Sequence, residues 1–321
     1  MGLTAYVGQC TRFAALSGSK KIRVGGTTYR TRGFLINKLA WDHGRPPYEP
    51  WLDAVYETLL GCKEGAFVDV GASTGQIMLK ILGLDKTRQY VGFEPHVACC
   101  SLIQSFIEEN NLKSHTILPF GLSNQNQMVK LHIRRGDYFR RGDYDSAASI
   151  VEKFRPDSFY AASRCIYVRK GDELLEDLKI GRVSTIKMDV EGAELEVIEG
   201  LASTIQEKTP FIIFEVLNHY LAATGQKLDE QTIRFRESRI EKLETILRGR
   251  DYEIYNVVPP NTLRKVRKIE PTASADLSIT SYLAVPRLYG DSIRRSFPGR
   301  VEDVLEPAGS VWPNRGLVQT L

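Results

Sequence analysis

No stretch of this 321-residue sequence approaches the roughly eighteen consecutive apolar residues of a membrane-spanning helix. The N-terminus, "MGLTAYVGQCTRFAALSGSKK", lacks the basic-then-apolar layout of a secretory signal. Tyr6 stands where a myristoylation signal would carry Ser or Thr. The five cysteines, at 10, 62, 99, 100 and 165, form no C-x-x-C pair and leave an odd one over. They read as reduced, mostly buried small hydrophobes rather than a disulfide framework. Five histidines are scattered without zinc spacing. A net charge of +4 is too weak to argue for a nucleic-acid partner by itself. These absences lead to the expectation of a soluble, cytoplasmic protein with no membrane span and no nucleic-acid partner.

What is present is ordinary globular composition, 42% hydrophobic and 26% charged, in a chain long enough for a large α/β core. Residues 1–46 carry mixed signals and the polar stretch "GSKKIRVGGTTYRTRG", which read as a small β-rich lead-in or cap. Residues 47–61 look helical, with Trp51, Val55, Leu59 and Leu60 on one face. A strand–helix alternation then begins: "AFVDV", "GQIMLKILGL", "QYVGFEP", "HVACCSLIQSFIEENN" and "HTILPFGLS". After an irregular stretch it resumes with a strand over 184–190, its helix, the strand "PFIIFEV" and a helix over 229–247. "YEIYNVV" and "LSITSYLAVP" close the pattern as two late strands. The pattern predicts a Rossmann-like α/β fold: a mostly parallel sheet, helices on both faces and an antiparallel edge. The expected division is a lead-in over 1–46, one domain over 47–290 and a tail over 291–321.

Two clusters at strand ends carry chemistry. In "GAFVDVGASTGQIML" an apolar strand bearing Asp69 runs into a turn of Gly71, Ala72, Ser73 and Gly75 and then a helix. Glycines there let a ligand approach the backbone, and the helix start offers N–H donors. Twenty-three residues past Gly71, the next strand ends on Glu94, whose carboxylate can accept both hydroxyls of a ribose. Together they propose an adenosine-containing cofactor. A nicotinamide dinucleotide would want G-x-G-x-x-G, but the spacing is G-x-x-x-G, and Asp69 would repel a diphosphate. Asp69 suits a ligand with an ammonium group, such as the methionine part of S-adenosylmethionine. An NAD-dependent oxidoreductase stays as the alternative.

The second cluster is "STIKMDVEGAELEVIEGL", 184–201, where Asp189 and Glu191 sit in the bend between strand and helix. Glu194, Glu196 and Glu199 need only the helix dipole as a reason, on the wet side of a stripe of Ala193, Val197, Ile198, Leu201 and Ile205. Asp189 and Glu191 precede the helix at the carboxyl end of a strand, the ligand edge of an open α/β sheet. Adjacent strands would bring Asp189 and Glu215 to a common cleft, with Glu191, Asn218 and His219 close behind. His219 has a suitable pKa for a base but reads equally as a helix-end histidine. Acids on two strand tips could also hold Mg²⁺, a reading that is not favoured because the ligand set is incomplete.

"FVDVGASTG", "GFEP", the turn in "LPFGLSN" and above all "IKMDVEGAELEVIEGL" resemble the FkbM family of S-adenosylmethionine-dependent methyltransferases. "GDELLEDL", over 171–178, fits the family's pattern as well. The resemblance covers about residues 50–285 and implies the class I methyltransferase fold. It also implies O-methylation of a sugar, a glycan or glycolipid, or a secondary metabolite, and so a small-molecule or glycan partner. Its motifs set Pro95, Gly121 and Leu122 beside Asp69, Gly71, Ala72, Ser73, Gly75 and Glu94 at the cofactor, and put Asp189 between cofactor and acceptor. The family loop commonly reads G-A-N-x-G, and Ser73 here replaces the Asn. The 134–171 stretch fits the pattern poorly and is a candidate acceptor region. It includes "RRGDYFRRGDY", whose four arginines read as a solvated loop ahead of a grip on an anionic substrate. A nucleic-acid methyltransferase is the second alternative, on the strength of ten Lys/Arg against five Asp/Glu over 232–268. The acid after the 184–190 strand, in place of an aromatic-flanked N-P-P-Y-like segment, argues against it.

Overall fold

A computed structural model describes residues 19–32, 48–134, 147–221, 226–271 and 276–303. The "RRGDYFRRGDY" arginines other than Arg134, at 135, 140 and 141, lie outside the described residues.

The chain opens with a hairpin, β1 (Ser19–Val24) and β2 (Thr27–Arg32). Helix α1 (Asp53–Cys62) follows a single 3₁₀ turn at Pro50–Leu52, so the helix expected over 47–61 starts later, behind Pro50. Then come β3 (Ala66–Val70), α2 (Gln76–Leu84), β4 (Tyr90–Phe93), α3 (Val97–Glu109) and β5 (His115–Leu118). The strand expected over 115–123 is broken. Pro119 cannot donate to a ladder, and β6 (Gly121–Ser123) leaves for a separate small sheet.

That small sheet is completed by β7 (Gln127–Arg134) and β8 (Tyr160–Lys170), in the order β6–β8–β7. Both strands fall in the stretch expected to be irregular. The main sheet resumes after α4 (Gly171–Asp177) with β9 (Val183–Met188), α5 (Glu194–Gly200), α6 (Ala202–Lys208) and β10 (Phe211–Glu215). The helix expected after β9 is thus two short helices broken at Leu201. A two-strand ribbon, β11 (Tyr220–Leu221) and β12 (Gln226–Lys227), precedes the long α7 (Glu230–Gly249), whose first turn is capped by Asp229 accepting from Thr232 N. β13 (Tyr252–Val258), β14 (Thr262–Lys265), β15 (Ser281–Pro286), α8 (Gly290–Ser296) and β16 (Arg300–Glu302) complete the chain.

The main sheet runs β16–β14–β13–β15–β10–β9–β3–β4–β5. β5, β4, β3, β9 and β10 are mutually parallel, and β15 enters antiparallel between β10 and β13. This is the class I methyltransferase arrangement, an α/β sheet with its antiparallel strands towards one edge. Two of the late segments extend it: β16 pairs with β14, and α8 packs on α1. Residues 290–303 therefore belong to the main body and not to a separate tail, because Ile293 and Phe297 are buried in its core.

Strand alternation divides the core. Phe67, Tyr90, Phe211, Ile213 and Leu283 face α1, α2, α3 and α8. Val68, Val91, Ile186, Met188, Ile212 and Phe214 face α4 to α7. Burial on both faces explains why these strands read as continuous apolar runs. No helix among the described residues is long and apolar enough to cross a membrane.

Candidate functional site

The parallel strands all end at one edge, and β3 and β9 meet there. Asp189 N donates to Val70 O at 3.0 Å, so the chain leaving β9 crosses directly over the turn that follows β3. A Cβ on Gly71 would stand 2.1 Å from Asp189 O, and the residue has φ +85°. Only glycine fits that crossing. Ser73 follows in the left-handed region at φ 49°, and its backbone N–H donates to Glu94 Oε2 at 2.8 Å. The loop contact at 73 therefore runs through the backbone, which the Ser in place of the family's Asn leaves intact.

Glu94 extends from β4 into a cleft beside this turn. Its other oxygen, Oε1, accepts from His96 N at 2.7 Å. Burial raises the carboxyl to a pKa of about 7, and the two backbone N–H groups pull it back. The cleft is about 750 Å³, open on one side. Val70, Gly71, Ser73, Phe93, Glu94 and Pro95 line its sheet side, and Asp189, Val190 and Glu191 close one end. Gly121 and Leu122 of β6, with Leu131, Ala148, Ile150 and Ile166, form the facing apolar wall. The β7–β8 hairpin thus adds Leu131 and Ile166 to that wall. Arg164 of β8 lies 3.2 Å from His96 Nε2, joining the hairpin to the start of α3.

Not every residue expected at the cofactor reaches the cleft. Ala72 and Gly75 shape the turn from behind, and Asp69 is fully buried beneath it, taking a hydrogen bond from the Tyr90 hydroxyl at 2.5 Å. Burial raises the Asp69 pKa to about 6, against the pull of Lys187 and Tyr90. Asp69 sits mid-strand, so its side chain projects into the core face rather than out of the sheet end.

The bend after β9 holds its two acids differently. Asp189 Oδ2 accepts from Lys187 Nζ at 2.9 Å and from the Tyr48 hydroxyl at 3.3 Å. Glu191, at φ 53°, is paired with the buried guanidinium of Arg155, which also donates to Ala147 O at 2.9 Å. Ser149 Oγ donates to Glu191 O at 2.7 Å. Glu191 is thus a brace between the bend and the 147–155 segment.

Glu215 and His219 lie outside the cleft lining. Glu215 accepts from Thr280 Oγ1 at 2.7 Å, and lines a smaller cavity of about 440 Å³ with Glu194, Arg236 and Arg239. Burial first, then the charges of Asp189 and Glu191, push its pKa well up. Side chains alternate along a strand, but Asp189 lies beyond the end of β9, so neighbouring strands do not bring these two acids into one lining. His219 faces α7 instead, with Nε2 3.6 Å from Glu237 Oε1, and burial lowers its pKa. Glu194, expected on a wet face, is buried, and burial raises it to about 7. Among the described residues no three His, Cys, Asp or Glu side chains converge as a metal-ligand group.

A family model described as the methyltransferase FkbM domain matches residues 69–254. The chain belongs to the FkbM methyltransferase family. Its members are S-adenosylmethionine-dependent enzymes, and the match runs from the Gly71 turn through the Asp189 bend to α7 and the start of β13. Comparison with curated proteins finds no match. Among solved structures, an FkbM methyltransferase from Methylobacillus flagellatus KT is 18% identical, with a TM-score of 0.41 over 71% of this chain and 47% of that one. The chain thus spans about half the length of that protein. An O-methyltransferase from Bacillus cereus, solved with SAH, is 12% identical, with a TM-score of 0.40 over 78% of this chain and 84% of that one. Fibrillarin from Aeropyrum pernix, solved with S-adenosyl-L-methionine, is 10% identical, with a TM-score of 0.36 over 84% of each chain.

Four contributors to the site carry no reading in the sequence analysis above. Lys187 stands as one cation inside an apolar strand, a pattern that marks a buried partner. The wall residues Leu131 and Ile166 lie on strands whose alternation is visible in "VKLHIR" and "IYVR". Arg155 carries no local signal, since its partner is 36 residues away.

Proposed function

We propose that this chain transfers a methyl group from S-adenosylmethionine to a hydroxyl of a sugar, a glycan or glycolipid, or a secondary metabolite. The observation that supports the reading is a single cleft bordered by two strand-tip carboxylates, Glu94 and Asp189, on either side of the Gly71 turn.

The residues present suit the cofactor. Each Glu94 oxygen uses one backbone N–H and keeps capacity for a second donor, as two ribose hydroxyls would provide. Phe93, Leu122 and Ile166 offer apolar surface to a base, while Pro95 and Gly121 keep the wall close without polar groups. Asp69 makes no direct contact in this reading and adds only its charge beneath the turn. Bound there, S-adenosylmethionine supplies a methyl group activated on a sulfonium centre.

Asp189 then faces the acceptor. Its hydrogen bonds from Lys187 and Tyr48 both fall on Oδ2, and Oδ1 can receive the hydroxyl proton. An alcohol oxygen that is gaining a third bond makes its proton strongly acidic, so a carboxylate is base enough. Most of the rate comes from holding the two reactants in line, which the braced 189–191 bend provides. Glu191 positions that bend through Arg155, and neither Glu215 nor His219 is needed at the reacting atoms. The reading does not call on Mg²⁺.

Calorimetric titration with S-adenosylmethionine, followed by mass spectrometry of hydroxylated candidates for the gain of one methyl on oxygen, tests it. A methyl group appearing on a nucleobase would overturn the acceptor class, and tighter binding of NAD than of S-adenosylmethionine would overturn the cofactor.

A further inference from the structure

Lys187 does more than complete a strand. It sits next to Met188 at the end of β9, in register with Asp69 of β3 and Ile213 of β10. Ile186 and Met188 face α5 and α7, so Lys187 projects to the opposite face, beneath the chain that leads into α1. Its side chain is 5% exposed. A lysine there must find anionic partners or lose its charge. Two are in reach: Asp189 Oδ2 at 2.9 Å and Glu49 Oε2 at 4.0 Å. Burial alone would depress the ammonium, but Asp189, Glu49, Tyr48 and Tyr56 together hold it well above the ordinary lysine range. Glu49 is itself raised by burial, and its backbone carbonyl is taken by Lys80 Nζ at 2.8 Å. The close pair is therefore Lys187 with Asp189.

The consequence is directional. The contacts from Lys187 and from Tyr48 both fall on one oxygen of Asp189, Oδ2. The other oxygen belongs to the residue that lines the cleft. We propose that Lys187 is a positioning residue for methyl transfer, fixing Asp189 through Oδ2 so that Oδ1 is presented to the acceptor hydroxyl. This rests on the reading of Asp189 as the proton acceptor. It assigns a role to a residue that touches neither cofactor nor acceptor. Without Lys187 the carboxylate can rotate about its last bond, and the geometry that in-line transfer needs is lost.

A double-mutant cycle separates positioning from plain structural support. Single-turnover methyl transfer and S-adenosylmethionine affinity are measured for wild type, Lys187→Met, Asp189→Asn and the double variant. The proposal expects Lys187→Met to slow turnover by about 10- to 100-fold with cofactor affinity nearly unchanged. It expects no further slowing when Lys187→Met is added to Asp189→Asn, because the group it positions is already gone. Should Lys187→Met alone fail to fold, the cycle is run in a Glu49→Gln background, which removes one of the carboxylates left without the Lys187 charge. Losses that multiply across the two sites, or normal turnover in Lys187→Met, overturn the proposal. Normal turnover in Asp189→Asn overturns the reading of Asp189 itself, a different result from the same set of proteins.

Discussion

Glu94→Gln is the most informative single substitution at the cofactor end of the cleft. Both oxygens of Glu94 accept from backbone N–H groups, Ser73 at 2.8 Å and His96 at 2.7 Å. An amide can accept on one side only, so either Ser73 N–H or His96 N–H would face an NH₂ group. The ribose hydroxyls would also meet a neutral partner in place of a charged one. Loss of a hydrogen bond to a charged group is worth about 1.5–3 kcal/mol, a rise in the S-adenosylmethionine dissociation constant of roughly 10- to 150-fold. The pH dependence gives a second, independent mark. Burial sets the free Glu94 carboxyl at about 7, and the ionised form is the one that can accept from two hydroxyls. Wild-type affinity should therefore strengthen as pH rises towards about 7, by up to about tenfold per unit below it, and then level off. Glu94→Gln should lack that slope. Calorimetry from about pH 5 to 7.5 on both proteins reads both quantities. Equal affinities, or the same pH slope in both proteins, would refute the placement of the ribose on Glu94.

Other outcomes follow from the same geometry. In the free protein the Glu94 contribution to stability is fully present below 4.5, its ordinary value, and is lost as pH rises through about 7, so denaturant titrations of Glu94→Gln should show a smaller loss across that window. Arg155→Met leaves Glu191 without its partner in a largely buried pair and should cost about 3–5 kcal/mol, with part recovered in the double variant carrying Glu191→Gln; urea unfolding decides. Gly192→Ala puts a Cβ 2.5 Å from the Phe154 ring at φ +105° and should cost roughly 2–4 kcal/mol, again by urea unfolding, whereas an unchanged midpoint would mean that Phe154 moves freely.

The parallel sheet and its helices were legible because burial on two faces writes unbroken apolar strands, as in "AFVDV" and "PFIIFEV", and glycine marks the turns between them. The cofactor side of the cleft was legible for a related reason: the 71–75 glycine turn and Glu94 fall within one strand–turn–helix unit and the strand after it, although the crossing that demands glycine at 71 comes from Asp189. What escaped depended on distance along the chain. The β7–β8 wall pairs residues such as Leu131 and Arg164 across a long connection, and Glu191 finds Arg155 only after that wall has folded back. Glu215 ends the neighbouring strand β10 and His219 follows it, but both lie outside the cleft lining. The bend at 189–194 instead divides that edge, with Asp189 on one side and Glu194 and Glu215 on the other. Asp69 looked like a cofactor contact because it stands two residues ahead of Gly71, but strand alternation turns it into the core against Tyr90.

Single-turnover methyl transfer by Asp189→Asn, with S-adenosylmethionine affinity measured alongside, tests the account most directly. Asparagine keeps the shape of the bend and removes only the charge. Turnover falling by about 10²–10⁴ with nearly unchanged cofactor affinity is the predicted result. Near-normal turnover would contradict it, returning Asp189 to a helix-start acid and moving the proton acceptor elsewhere.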